Sequence, residues 1–141
     1  MARFLEITFL DEGVSARDLL LDDEAPMTCR RVWEILPLSG EGGHASYSGT
    51  MVGLLFDPNV TIPEENPITW TQTGDVVFTH YDQGFAPGHR DALSEIYWSY
   101  DRFGRPLVPG KWVPPIANLF ARIVGDATDF VSVQVGRRIS G

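Results

Sequence analysis

The feature that most constrains the fold is a short amphipathic segment, residues 25–37, which carries a proline near each end. Its apolar residues follow the helical spacing i, i+3, i+4 and i+7, at Cys29, Val32, Trp33 and Leu36. Pro26 suits the first turn of a helix, where its missing N–H is not needed, and Pro37 cannot continue one. The pattern therefore predicts a helix over residues 26–36 with one buried face.

The segments around this helix have the period of two that is typical of half-buried strands. In the first of them Leu5 and Ile7 alternate with Glu6 and Thr8. Extended segments are predicted over residues 4–10, 14–21, 44–48, 50–56, 76–81, 94–100, 118–124 and 131–135, and residues 126–130 could form one short helical turn. About eight short strands and one helix predict a mainly β fold. A closed, mostly antiparallel barrel is expected, because closure removes exposed sheet edges.

Composition narrows the class of protein further. A chain of 141 residues, 43% hydrophobic and 21% charged, is expected to form one globular domain over residues 1–141. The formal net charge of −8 repels phosphate backbones and anionic lipids, so neither nucleic acid nor a membrane is an expected partner. No apolar run approaches the ~20 residues of a membrane span, and Glu6 comes too early for a signal peptide. A cytoplasmic location is therefore expected. No cofactor is predicted.

Three short segments resemble, in the same order, parts of the cyclophilin-like barrel. They are Ala-Pro-Met-Thr at 25–28 before the helix, Tyr-Ser-Gly-Thr at 47–50, and Asn-Leu-Phe-Ala-Arg-Ile-Val-Gly at 118–125. Within that superfamily the chain resembles a bacterial family of small, uncharacterised, single-domain proteins. The resemblance implies a cyclophilin-like barrel with a groove on its side.

Prolyl isomerase activity is not implied by this resemblance. Amide resonance sets a barrier of ~18–20 kcal/mol, and cyclophilins place an arginine near the prolyl nitrogen. The position of that arginine falls on Leu54, and the neighbouring phenylalanine and glutamine fall near Val60 and Ile62. Trp112 matches the pocket tryptophan, but the later histidine falls on Ala117. The resemblance thus implies a groove without efficient isomerase activity.

The candidate ligand-binding residues are drawn from several segments. Glu95 and Tyr97 should share one face of their strand, and a carboxylate and a phenol on a concave face suit a small polar ligand with an apolar body. His44 is expected to donate hydrogen bonds from the pocket wall, and Arg102 could bind a carboxylate with two bonds. With Trp112 these residues form the predicted site. The alternatives are packing for the aromatic residues and solvation for the arginine.

A metal site is not predicted, although two pairs of residues have suitable spacing. His80 with Asp82 and His89 with Asp91 each place two potential ligands on one side of a strand. A metal site needs three or four converging ligands, and the sequence does not show that these converge. The alternative is that His80 ends a strand and that His89 lies in a polar loop.

Binding of a small molecule or peptide is the leading functional hypothesis. A second is an enzyme acting on an amide-type metabolite, with His44 or Glu95 as acid–base group; a shifted pKa in a pocket would favour it. A third is a self-associating protein, a homo-oligomer that buries Trp70 or Trp98 at an interface. Prolyl isomerisation is the remaining alternative.

Overall fold

The computed structural model describes residues 2–11, 13–44, 51–56, 60–81, 92–99 and 117–124, which form a mainly β structure with one helix. The strands are β1 Phe4–Phe9, β2 Val14–Leu20, β3 Gly43–His44, β4 Met51–Phe56, β5 Asp75–Tyr81, β6 Leu93–Ser99 and β7 Ala117–Val124, and the helix is α1 Pro26–Ile35. All described pairings are antiparallel, in the order β1-β2-β7-β5-β6-β4-β3. The prediction of a mainly β fold with one helix is confirmed.

The sheet curls into a half-barrel. Leu5 of β1 and Leu54 of β4 line one cavity although their strands lie near opposite ends of the strand order. The rings of Phe9 and Trp98 also approach to 6.2 Å. The closed barrel of about eight strands is not seen, because β1 and β3 end the sheet without pairing to each other in the described chain. The predicted strand at 131–135 and turn at 126–130 lie outside the described residues.

The two faces of the sheet carry separate apolar clusters, since side chains alternate along each strand. The larger cluster is on the inner face and packs against α1; it includes Phe9, Leu20, Cys29, Val32, Val52, Phe78, Trp98 and Phe120. The smaller cluster is on the outer face and consists of Met51, Val77, Tyr97, Ala117 and Leu119.

The N-terminus of α1 is capped from a distant segment. Ala25, the N-cap residue, makes no side-chain cap bond. Instead the Glu65 carboxylate accepts hydrogen bonds from the backbone N–H of Met27 at 3.1 Å and of Thr28 at 2.8 Å. Asn118 of β7 accepts a bond from the Glu65 N–H at 2.9 Å and donates to the Thr28 hydroxyl at 3.2 Å. Glu65 therefore satisfies orphan donors of α1 and joins the helix to the sheet.

The buried face of α1 is narrower than its sequence pattern predicts. Cys29 and Val32 are fully buried, whereas Trp33 is 45% exposed. The Arg3 guanidinium lies 4.8 Å from the centre of the Trp33 ring and donates to Asp22 at 3.1 Å. The attraction between this cation and the ring stabilises Trp33 at the surface.

Cys29 is the buried hydrophobe that its position predicts. Its thiol donates to the Phe120 carbonyl at 3.3 Å, and burial raises its pKa to about 12. Such a thiol is not a nucleophile near neutral pH. Among the described elements no helix has the length and apolarity needed to cross a membrane.

Candidate functional site

Strand β6 delivers the two central candidate residues to one face. Glu95 and Tyr97 face outward, and Ile96 and Trp98 face the inner cluster, as the period of two predicts. The outer face is not the concave one, however, because the cavity between the ends of the curled sheet lies on the inner side. The expectation of a concave site for Glu95 and Tyr97 is therefore wrong. The direction of curling, which local periodicity does not encode, decides this.

The Glu95 carboxyl is held by one hydrogen bond and has one oxygen left over. The Tyr81 hydroxyl of β5 donates to Oε1 at 2.8 Å, and Oε2 has no partner among the described residues. Burial raises the pKa of Glu95 to about 7, and the bond from Tyr81 acts in the opposite direction. Near neutral pH this group can therefore both accept and donate a hydrogen bond.

Gly53 of β4 provides the space that Glu95 and Tyr97 occupy. A Cβ at Gly53 would lie 2.7 Å from the Tyr97 Cβ and 3.0 Å from Oε2 of Glu95. At Gly43, its cross-strand partner in β3, a Cβ would meet no atom within 4 Å. Gly53 is a site residue that sequence reasoning missed, because only strand pairing brings it beside Glu95.

Tyr97 contributes a buried hydroxyl beside this carboxyl. The side chain is 5% exposed, and its hydroxyl has no hydrogen-bond partner in the part of the chain that is described. Burial, and then the charge of Glu95, raise the pKa of Tyr97 well above its usual value. Buried hydroxyls in proteins almost always have a partner. This one is therefore an unsatisfied buried donor beside Glu95.

The other predicted site residues are only partly placed. His44 lies in β3, where its backbone pairs with Val52 of β4. Its side chain, and Arg102 and Trp112, lie outside the described residues. The structure thus brings Glu95 and Tyr97 together and leaves the other three as predictions.

Leu54, the position that the resemblance matches to the cyclophilin arginine, faces the inner side. It is 8% exposed, lines the cavity, and pairs with Ile96 across the strands. Core packing explains a leucine there. The same holds for Val60 and Ile62, which belong to the inner cluster. The ungapped match therefore places the arginine position on the face opposite Glu95.

The histidine and aspartate pairs do not form a described metal site. His80 lies in β5 opposite Ser94, whereas Asp82, His89 and Asp91 fall outside the described residues. Within the described ranges no three His, Cys, Asp or Glu side chains converge on one point.

Asp18 is an unusual buried group that sequence reasoning did not single out. It is fully buried on the inner face of β2, and neither carboxyl oxygen has a partner in the described chain. Burial, and then the charge of Glu6, raise the pKa of Asp18 to about 8. The sequence did hold a signal, because the period of two places Asp18 on the same face as Ala16 and Leu20.

A family profile described as "Protein of unknown function (DUF3830)" matches residues 7–139. The matched range contains all the site residues described above. A comparison with curated proteins found no similar sequence.

Proposed function

We propose that this chain, which belongs to the DUF3830 family, binds a small polar molecule on the outer face of its half-barrel, with Glu95 as the anchor. The observation that carries the proposal is the bond from Tyr81 to one oxygen of Glu95, with the other oxygen unpartnered among the described residues. Binding sites combine apolar walls with a few fixed polar groups. Tyr97 and its apolar neighbours supply such a surface beside Glu95.

The ligand that suits this anchor has a group that both donates and accepts hydrogen bonds. Glu95 is poised between acid and carboxylate near pH 7, so it pairs with a neutral amide-like group in either state. An anion is disfavoured, because the chain has a net charge of −8. A short peptide offers the same chemistry and is the alternative ligand.

We also propose the type of barrel and three further residues of the site. A cyclophilin-like barrel is supported by the three matching segments and by the antiparallel curled sheet, and a bacterial, cytoplasmic protein remains part of the proposal. His44, Arg102 and Trp112 are proposed to complete the binding site.

A second candidate function is catalysis on an amide-type metabolite. A pKa of about 7 for Glu95 is the value that a general acid–base group needs at neutral pH. Self-association is supported less. Of the two tryptophans considered for an interface, Trp98 is 2% exposed and packs in the core, whereas Trp70 is 59% exposed.

The test is a thermal-shift screen of a metabolite and dipeptide library against three proteins: wild type, Glu95→Gln and Glu64→Gln. Glu64 is exposed, so its variant is a matched control. We expect a hit at millimolar concentration to raise the Tm of the wild type and of Glu64→Gln by a few degrees, by linkage. The same compound should not raise the Tm of Glu95→Gln.

The outcomes separate the candidate functions. The proposal is contradicted if no hit is lost in Glu95→Gln, or if there are no hits at all. Consumption of a hit by wild type but not by Glu95→Gln, followed by NMR of the small molecule, indicates the enzyme instead.

A further inference from the structure

The cavity inside the curl is separate from the outer-face site. It has a volume of about 70 Å³ and is on the inner face, opposite the side that carries Glu95. Its walls come from β1, from the end of α1 and the segment after it, and from β4 and β6. Its apolar lining includes Leu5, Ile7, Leu36, Leu38, Leu54 and Ile96.

The topology explains why space remains at this place. Strands β1 and β4 approach across the opening of the half-barrel but do not pair with each other in the described chain. Their side chains therefore meet without the close spacing that a hydrogen-bonded ladder imposes. Protein interiors contain few voids larger than a water molecule, so a cavity of this size is a distinct feature of the fold.

The lining gives water few hydrogen-bond partners. Apart from the Trp98 indole, the polar residues of the described lining are Glu6 and Thr8, which alternate with Leu5 and Ile7 and therefore direct their side chains to the other face of β1. No cationic side chain is among the described lining residues. A buried water needs two to four polar partners, and apolar cavities without them stay dry or take apolar guests. An apolar group can therefore enter without displacing well-bound water.

The volume of the cavity and the charge of its lining limit which ligand group can bind. An engineered apolar cavity of about 150 Å³ binds benzene, so a cavity of about 70 Å³ suits a smaller group. An anionic group would lose its hydration there, and no cationic side chain among the described lining residues offsets that loss. The lining residues of β1 and of the segment after α1, which includes Leu36 and Leu38, are half-buried or exposed, whereas those of β4 and β6 are buried, so the cavity opens between β1 and that segment.

We propose that this cavity binds an uncharged, branched aliphatic group of about four carbon atoms, with the rest of the ligand extending past Leu36 and Leu38. This site is independent of the outer-face site at Glu95.

The proposal is tested by methyl NMR of the full chain titrated with isobutanol. We expect saturable shifts of the methyl groups of Leu5, Ile7, Leu54 and Ile96. Isobutyrate has the same skeleton with a negative charge and should bind at least about tenfold more weakly. Xenon under pressure should shift the same methyl groups.

Two variants give the matched comparison. Leu38→Trp places an indole at the opening and should abolish the isobutanol shifts, whereas Leu10→Trp, at a residue 61% exposed and outside the lining, should keep them. Ile7→Phe fills the cavity from β1 if Leu38→Trp does not fold. Glu95→Gln should leave the shifts unchanged, which separates this test from that of the outer site.

Three results would overturn the proposal: linear shifts that do not saturate, equal binding of isobutanol by Leu38→Trp and wild type, or isobutyrate binding as tightly as isobutanol. Absence of any xenon response would also overturn it, without reliance on a variant.

Discussion

Gly53 is the residue on which the geometry of the outer site depends. Its missing Cβ allows the Tyr97 Cβ and the Glu95 carboxyl to lie across β4. We expect Gly53→Ala to lower the free energy of unfolding by about 1–3 kcal/mol, because an added methyl group must displace packed atoms. Urea unfolding measures this.

Gly43→Ala is the matched control for that variant. The two glycines are cross-strand partners, and a Cβ at Gly43 meets no atom within 4 Å. Its effect should stay within about 0.5 kcal/mol. Equal effects of the two substitutions would show that the close approach at Gly53 is not what destabilises the protein.

The ionisation of Glu95 is a second prediction at the residue scale. A ¹³C NMR titration of its carboxyl should give a pKa of about 7. Tyr81→Phe removes the bond that favours the charged form, so we expect this variant to raise the pKa of Glu95 further. A lowered or unchanged pKa in Tyr81→Phe would contradict the role given to that hydroxyl.

At the scale of elements, α1 depends on a cap that its own sequence lacks. Glu65 accepts bonds from two backbone N–H groups and from the Thr28 hydroxyl. Glu65→Ala should reduce the free energy of unfolding by about 1–2 kcal/mol, since it leaves the helix N-terminus without its acceptor. Glu64→Ala, at the exposed neighbour, should change it by less than about 0.5 kcal/mol. Chemical unfolding followed by circular dichroism compares the two.

The elements themselves were largely predictable. The predicted segment 4–10 contains β1 Phe4–Phe9, and the predicted helix 26–36 differs from Pro26–Ile35 by one residue. Periods of two and 3.6, and the chemistry of proline, are local properties that the sequence displays directly. Trp33 departs from its pattern because Arg3, from before β1, covers its ring at the surface.

At the scale of the molecule, the pH dependence of stability follows from two buried carboxyls. Burial raises the pKa of Asp18 to about 8 and that of Glu95 to about 7. The folded protein keeps these protons at pH values where the unfolded chain has lost them. Their contribution is therefore fully present below pH 4 and is lost as pH rises towards 8, by up to about 1.4 kcal/mol per pH unit for each group.

Asp18→Asn isolates the larger of these contributions. Between pH 5 and pH 8, unfolding free energies of wild type should fall more steeply than those of Asp18→Asn, because the amide does not ionise. Asp23→Asn, at an exposed position, should keep the slope of wild type. Parallel slopes for wild type and Asp18→Asn would show that Asp18 gains solvent or a partner when it ionises.

The sequence by itself determined the class of the fold, the extents of the described elements other than β3 to within about one residue, and which residues of β6 share a face. Each follows from the spacing of neighbours along the chain. Only the tertiary structure decided that the face of Glu95 is the outer one, that Gly53 lies beside it, and that Glu65 caps a helix 37 residues away. These relations depend on strand order and on the direction of curling. Both arise from packing between distant segments, which no local period records.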